Sequence, residues 1–117
     1  MSDSRYVSCR VDADDLSRFI RQALGAVGAD EASRQAVARA LVTASLMGTD
    51  SHGLRLLPHY LNALEGGRIA PSPRLAFTRR LAGTGVLDAG NALGHLAGYR
   101  AIDHAVEMAA EVGLGAV

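Results

Sequence analysis

Two imidazoles, two hydroxyls, a guanidinium, a phenol and a carboxylate fall within the twelve residues Thr49-Asp50-Ser51-His52-Gly53-Leu54-Arg55-Leu56-Leu57-Pro58-His59-Tyr60. A chain reversal between two helices needs far less, so this stretch is the candidate for chemistry. His52 suits proton transfer near neutral pH: the positive end of a following helix favours its neutral form, while an anionic substrate favours the charged one. Arg55 carries the planar fork that grips a carboxylate through two parallel hydrogen bonds. Each residue also has a plainer use. Asp50 or Ser51 could cap the next helix, His52 could be satisfied locally, and Arg55 could be a solvated surface cation. Gly53, directly after His52, weighs toward chemistry because it lets a ligand approach the backbone. His59 follows His52 by seven residues, which is not the spacing of helical metal ligands, so no metal site is expected.

The flanking elements are set by caps, glycines and apolar spacing. Asp12 caps a helix over 13–27, with Asp15 reaching back and Leu16, Phe19, Ile20, Ala23, Leu24 and Val27 on its inner face. Gly28 closes it, and Asp30 caps a second helix over 31–47, with Ala36, Val37, Ala40, Leu41, Ala44, Leu46 and Met47 as its stripe and Gly48 as its end. Pro58 is tolerated only in a first helical turn, which sets a third helix over 56–65 that buries Leu57, Leu61 and Leu64 and stops at Gly66-Gly67. Ile69 to Pro73 holds two prolines and must be extended. Short strands over 75–78 and 85–88 precede a glycine-bounded turn, Gly90 to Gly94, and a fourth helix over 94–112 closed by Gly113. Its expected buried positions are Leu96, Tyr99, Ile102, Ala105, Val106 and Ala109. The Gly90 turn lacks both the dinucleotide fingerprint and the lysine of a nucleoside-triphosphate loop, so a turn and a helix start suffice for it. Tyr6 to Val11 could form a short extended segment.

At 117 residues, 49% hydrophobic and 21% charged, the chain has the material of one modest core, one domain or a piece of one. Its formal charge is zero and every basic residue is Arg, which gives no positive field for nucleic acid or an anionic membrane surface. Cys9 is the only thiol, which fits a reducing cytoplasmic setting, and no apolar run approaches the roughly 18 residues of a membrane span. Leu114-Gly115-Ala116-Val117 reads as a strand entering a sheet. The expectation is therefore the N-terminal part of a larger protein.

The chain resembles the N-terminal part of the malate/L-lactate dehydrogenase family, the type-2 NAD(P)-dependent oxidoreductases that include ureidoglycolate, sulfolactate and diketogulonate enzymes. The resemblance runs from Val11 onward. It rests on Asp50-Ser51-His52-Gly53 after an Ala-rich helix, on Pro58 and Tyr60, and on Gly67-Arg68-Ile69 followed by Pro71 and Pro73. It continues through Leu87-Asp88-Ala89-Gly90-Asn91-Ala92-Leu93-Gly94 and Gly113-Leu114-Gly115-Ala116-Val117.

The resemblance implies an α+β fold: a helical portion over 1–67, then the start of a mixed sheet over 68–117, an incomplete domain unlike the doubly wound dinucleotide fold. It implies a homodimer that uses NAD or NADP to transfer a hydride to or from a small 2-hydroxy or 2-oxo acid such as malate or lactate. In that scheme His52 donates or accepts the hydroxyl proton, Ser51 relays charge with an aspartate beyond Val117, and Tyr60 lies near substrate. Arg55 is the candidate substrate cation, but several members carry that arginine five residues after the motif serine, where this chain has Leu56, whereas Arg55 stands four after. One residue on a helix turns a side chain by about a hundred degrees. The nicotinamide contacts are implied to lie outside this stretch. The alternative from another class is a non-catalytic helical packing or dimerisation module left by truncation.

Overall fold

Two aspartates start the first helix pair. In the computed structural model, which describes residues 9–117, the Asp12 carboxylate accepts from the amides of Asp14 (2.9 Å) and Asp15 (3.2 Å) and opens α1, Ala13–Ala26. Asp30 accepts from the Ser33 amide at 2.9 Å and opens α2, Glu31–Leu46. Both caps match expectation, but the reach-back by Asp15 does not form. One methylene shorter than the glutamate of a capping box, its carboxylate takes Arg18 instead, at 2.7 Å. Gly28 turns the chain at φ 89, and Arg21 meets Glu31 across the corner at 2.5 Å. The Gln35 amide and then Arg21 hold the Glu31 carboxyl below its usual range. Of the proposed Tyr6–Val11 segment, residues 6–8 lie outside the described residues, and residues 9–11 belong to no regular element.

The core lies in the seam between α1, α2 and the third helix, α3 (Leu57–Glu65). Ile20 and Leu24 of α1, Val37 and Leu41 of α2, Leu57 and Leu64 of α3 and Leu93 form one buried cluster. Large side chains of this kind contribute about 1.5–3 kcal/mol each on burial. The buried row of α2 is Ser33, Val37 and Leu41, spaced four apart, with Ala36 and Ala38 beside it. Leu46 and Met47, expected on the stripe, are 73% and 76% exposed: the segment that seats on the last turn of α2 does so at Ser45 and leaves them uncovered. Phe19 of α1, expected on its inner face, is exposed as well.

The proline-bearing connection, expected to be extended, is not helical but bends at Ile69, Pro71 and Ser72, and it ties the two halves together. The Asp30 amide donates to the Pro71 carbonyl (2.8 Å), and the Ala70 amide donates to the Asn91 carbonyl (2.9 Å). The Asn91 side chain donates back to the Arg68 carbonyl at 2.7 Å. Asn91, at φ 60 beside Gly90 at φ 57, is the only non-glycine with positive φ among the described residues, a conformation asparagine tolerates. An antiparallel hairpin, β1 (Ala76–Leu81) and β2 (Thr84–Asp88), pairs Ala76 with Asp88, so β1 runs three residues past its expected end. Ala116 lies parallel to Thr84 in a single bridge on the free edge of β2, where a strand was expected.

The fourth helix, α4 (Gly94–Val112), has the expected bounds, closed by Gly113 at φ 83. It docks on α2 with the Arg39 guanidinium 4.6 Å from the Tyr99 ring centre, and on the hairpin with Phe77 stacked on His104 at 4.0 Å. Leu96 and Met108 are its buried residues. Ile102 and Val106, expected inside, are 63% and 62% exposed, since no described element covers that face.

Leu41→Ala therefore empties a core site and should destabilise the chain by about 2–5 kcal/mol, whereas Leu46→Ala should stay within about 0.5 kcal/mol of the parent. Urea unfolding of the two variants checks both values.

Candidate functional site

The buried row of α2 continues one step further to Ser45, and there its chemistry changes from apolar to polar. The Ser45 hydroxyl accepts the Leu54 amide at 3.1 Å and so pins the next segment onto the helix. Gly53 is buried at φ −92, a backbone angle open to any residue, but a Cβ on it would lie 2.2 Å from Ser45 Oγ. The expectation that Gly53 makes room for a ligand is thus replaced by a structural reason: it makes room for Ser45.

Two single-turn 3-10 helices, Asp50–His52 and Leu54–Leu56, meet at this glycine and lead into α3. Neither Asp50 nor Ser51 caps α3, whose start at Leu56 carries no side-chain cap. The demand for a cap is small there, because the Leu57 amide bonds to the Leu54 carbonyl and Pro58 has no amide hydrogen. Ser51 and His52 are instead free to face outward. Ser51 Oγ lies 2.8 Å from His52 Nδ1, with both residues exposed. A hydroxyl can donate to the bare nitrogen of a neutral imidazole or accept from the N–H of a charged one, so Ser51 can hold the ring in either state.

Arg55 sits on the second 3-10 turn, exposed, and forms no ion pair among the described residues. Tyr60 on α3 packs partly against the core. Its ring stands edge-on to His59 (5.5 Å, 73°) and to His95 (4.9 Å, 88°). His95, in the first turn of α4, went unnoticed in the sequence, where nothing local ties it to Tyr60. Its ring is half-buried, Nδ1 is enclosed with no hydrogen-bond partner among the described residues, and burial pushes its pKa below 6.5. The named residues therefore fall into a Ser51–His52 pair, a Tyr60–His95 contact, and Arg55 by itself. Ser45 was also missed, although it stands in step with Val37 and Leu41.

At Gly90 the glycine turn before α4 is closed to a phosphate. The Gly90 amide is taken by Asp88 Oδ1 at 2.9 Å, and a Cβ at Gly90 would lie 2.2 Å from the Arg74 carbonyl oxygen. Among the described residues no three His, Cys, Asp or Glu side chains gather as metal ligands, and no helix is long and apolar enough to cross a membrane.

This chain belongs to the malate/L-lactate dehydrogenase family, which matches residues 11–117. It is 33% identical over 115 residues to the malate dehydrogenase of Pyrococcus abyssi, a match that spans 98% of this chain and 31% of that one. It is 30% identical over 108 residues to the L-sulfolactate dehydrogenase of Methanothermobacter thermautotrophicus, spanning 92% and 32% of the two chains. The solved malate dehydrogenase of Pyrococcus horikoshii superposes on it with a TM-score of 0.88 at 31% identity, over 98% of this chain and 34% of that one. The chain thus spans about a third of the length of these relatives.

The contact between Gly53 and Ser45 predicts a coupled pair of substitutions. Gly53→Ala should destabilise by about 1–3 kcal/mol through the clash it forces, and by clearly less in a Ser45→Ala background, where the opposing oxygen is gone. A double-mutant cycle by chemical denaturation reads the coupling; simple additivity would contradict it.

Proposed function

We propose that this chain is the N-terminal part of an NAD(P)-dependent oxidoreductase that interconverts a small 2-hydroxy acid and its 2-oxo acid, malate or lactate being the model substrates. In this reading the enzyme is a cytoplasmic homodimer, and residues 1–67 and 68–117 are the helical portion and the start of the sheet portion. Family membership supports the class of reaction. The observation that carries this chain's share of it is the Ser51–His52 pair, exposed and in hydrogen-bond contact at 2.8 Å.

The nicotinamide, when bound, supplies or takes up the hydride at C2. The Gly90 turn does not fit as its cradle, given the occupied Gly90 amide and the closed approach at Gly90, so in this reading it is held elsewhere in the family-length protein. What this chain contributes is the proton. In the reducing direction His52 gives its ring proton to the substrate oxygen while C2 is reduced, and in the oxidising direction it takes the hydroxyl proton back. Ser51 holds the imidazole through Nδ1 in both states. That leaves Nε2, which is donor or acceptor as the direction requires, for the substrate. Arg55, exposed and near in sequence, is the cation available to the substrate carboxylate, and Tyr60 is assigned to the substrate's surroundings on the resemblance to the family.

The exposed face of Ile102 and Val106 favours one second reading, a packing or dimerisation module without catalysis. Translating the DNA downstream of the Val117 codon separates the two. A continuation of family length that carries an aspartate for the Ser51–His52 pair supports the enzyme, and an early stop supports the module.

In the family-length protein, His52→Ala should lower turnover by about a hundred- to ten-thousand-fold with a smaller change in nicotinamide affinity, while His59→Ala should cost about tenfold or less. These 117 residues alone should not oxidise NADH or NADPH with pyruvate or oxaloacetate. Steady-state kinetics checks each statement, and loss of turnover in His59→Ala with His52→Ala intact would overturn the assignment.

A further inference from the structure

We infer that His95 is a positioning residue: set edge-on against Tyr60 from the first turn of α4, it fixes the orientation of the Tyr60 ring and thereby the substrate wall that Tyr60 forms. This rests on the proposed function for the meaning of that wall, but the contact itself does not.

Three observations carry it. Tyr60 is held between two imidazoles, His59 from its own helix at 5.5 Å and His95 from α4 at 4.9 Å, and only the second ties it to another element. Perpendicular aromatic pairs have a preferred geometry, so the contact restrains ring rotation rather than merely filling space. His95 Nδ1 is enclosed and bonds to nothing among the described residues, so no hydrogen bond at that nitrogen sets the ring's placement, and the edge-on contact with Tyr60 is the specific contact the ring makes. The enclosure also makes the contact depend on charge state. Tyr60, and beyond it His59, stand toward the ring from α3, and burial lowers the pKa of His95. Among the described residues His95 forms no ion pair that would stabilise a charged imidazolium. The folded state therefore binds this proton less readily than the unfolded chain, and as pH falls below 6.5 the charged form is driven toward solvent, loosening its hold on Tyr60.

The test is the kinetics of 2-oxo acid reduction by the family-length protein across pH 5–8. His95→Ala should raise KM about fivefold or more with kcat within about twofold, the signature of lost substrate placement rather than lost chemistry. His95→Phe keeps an aromatic edge and cannot titrate; its KM should stay near the parent value at pH 7.5 and lose the rise that the parent shows as pH drops. An unchanged KM in His95→Ala, or a parent-like pH profile in His95→Phe, would overturn the inference. If the parent reduces no 2-oxo acid, the proposed function fails and a second measurement decides His95 separately. In NMR spectra of this chain, the Tyr60 ring signals should shift with the titration of His95 and stop doing so in His95→Phe, and Tyr60 signals indifferent to that titration would sink the idea.

Discussion

The hydrogen bond from the Leu54 amide to the Ser45 hydroxyl is the join on which the arrangement of the reactive stretch depends. Its net contribution is about 1 kcal/mol, but leaving either group buried and unpaired would cost about 1–3 kcal/mol, so the segment has one seat on α2 rather than several. Gly53 permits that seat by bringing backbone where a side chain would strike Ser45. With residues 53 and 54 fixed, the two 3-10 turns sort the chain. Leu54, Leu56 and Leu57 turn to the core, while Ser51, His52 and Arg55 turn to solvent. A hydrophobic anchor thus presents a polar pair.

A second set of joins brings in the far end of the chain. Asp30 receives the prolyl connection through Pro71, and Asn91, held in a left-handed conformation, bonds to both Arg68 and Ala70. These contacts set where α4 begins, and so put His95 beside Tyr60. The contact between α3 and α4 is therefore a consequence of loop geometry, which is why neither helix alone contains a signal for it.

The four helices were legible because each has local punctuation: aspartates at the starts of α1 and α2, Pro58 in α3, and glycines at their ends. Periodicity succeeded where a partner helix exists and failed where none covers the face, as at Leu46, Met47, Ile102 and Val106. Apolarity shows what a residue would bury, not whether anything lies over it. Ser45 was passed over because a serine on a helix usually faces water, although its step of four from Leu41 puts it on the buried row. The 3-10 turns are too short to show a period. Ser51 and His52 were legible as types and by resemblance, their 2.8 Å contact only in three dimensions.

The central claim is that His52 is the proton donor and acceptor of a 2-hydroxy acid oxidoreductase, held by Ser51. The exposed position of His52 permits chemical rescue, since small amines can diffuse into the space its ring vacates. The measurement is the rate of 2-oxo acid reduction by the family-length His52→Ala protein as imidazole is added at fixed pH. The account predicts recovery that rises with imidazole concentration and that smaller acids of similar pKa share. A variant as fast as the parent without imidazole, or one whose deficit no added acid relieves, would contradict it.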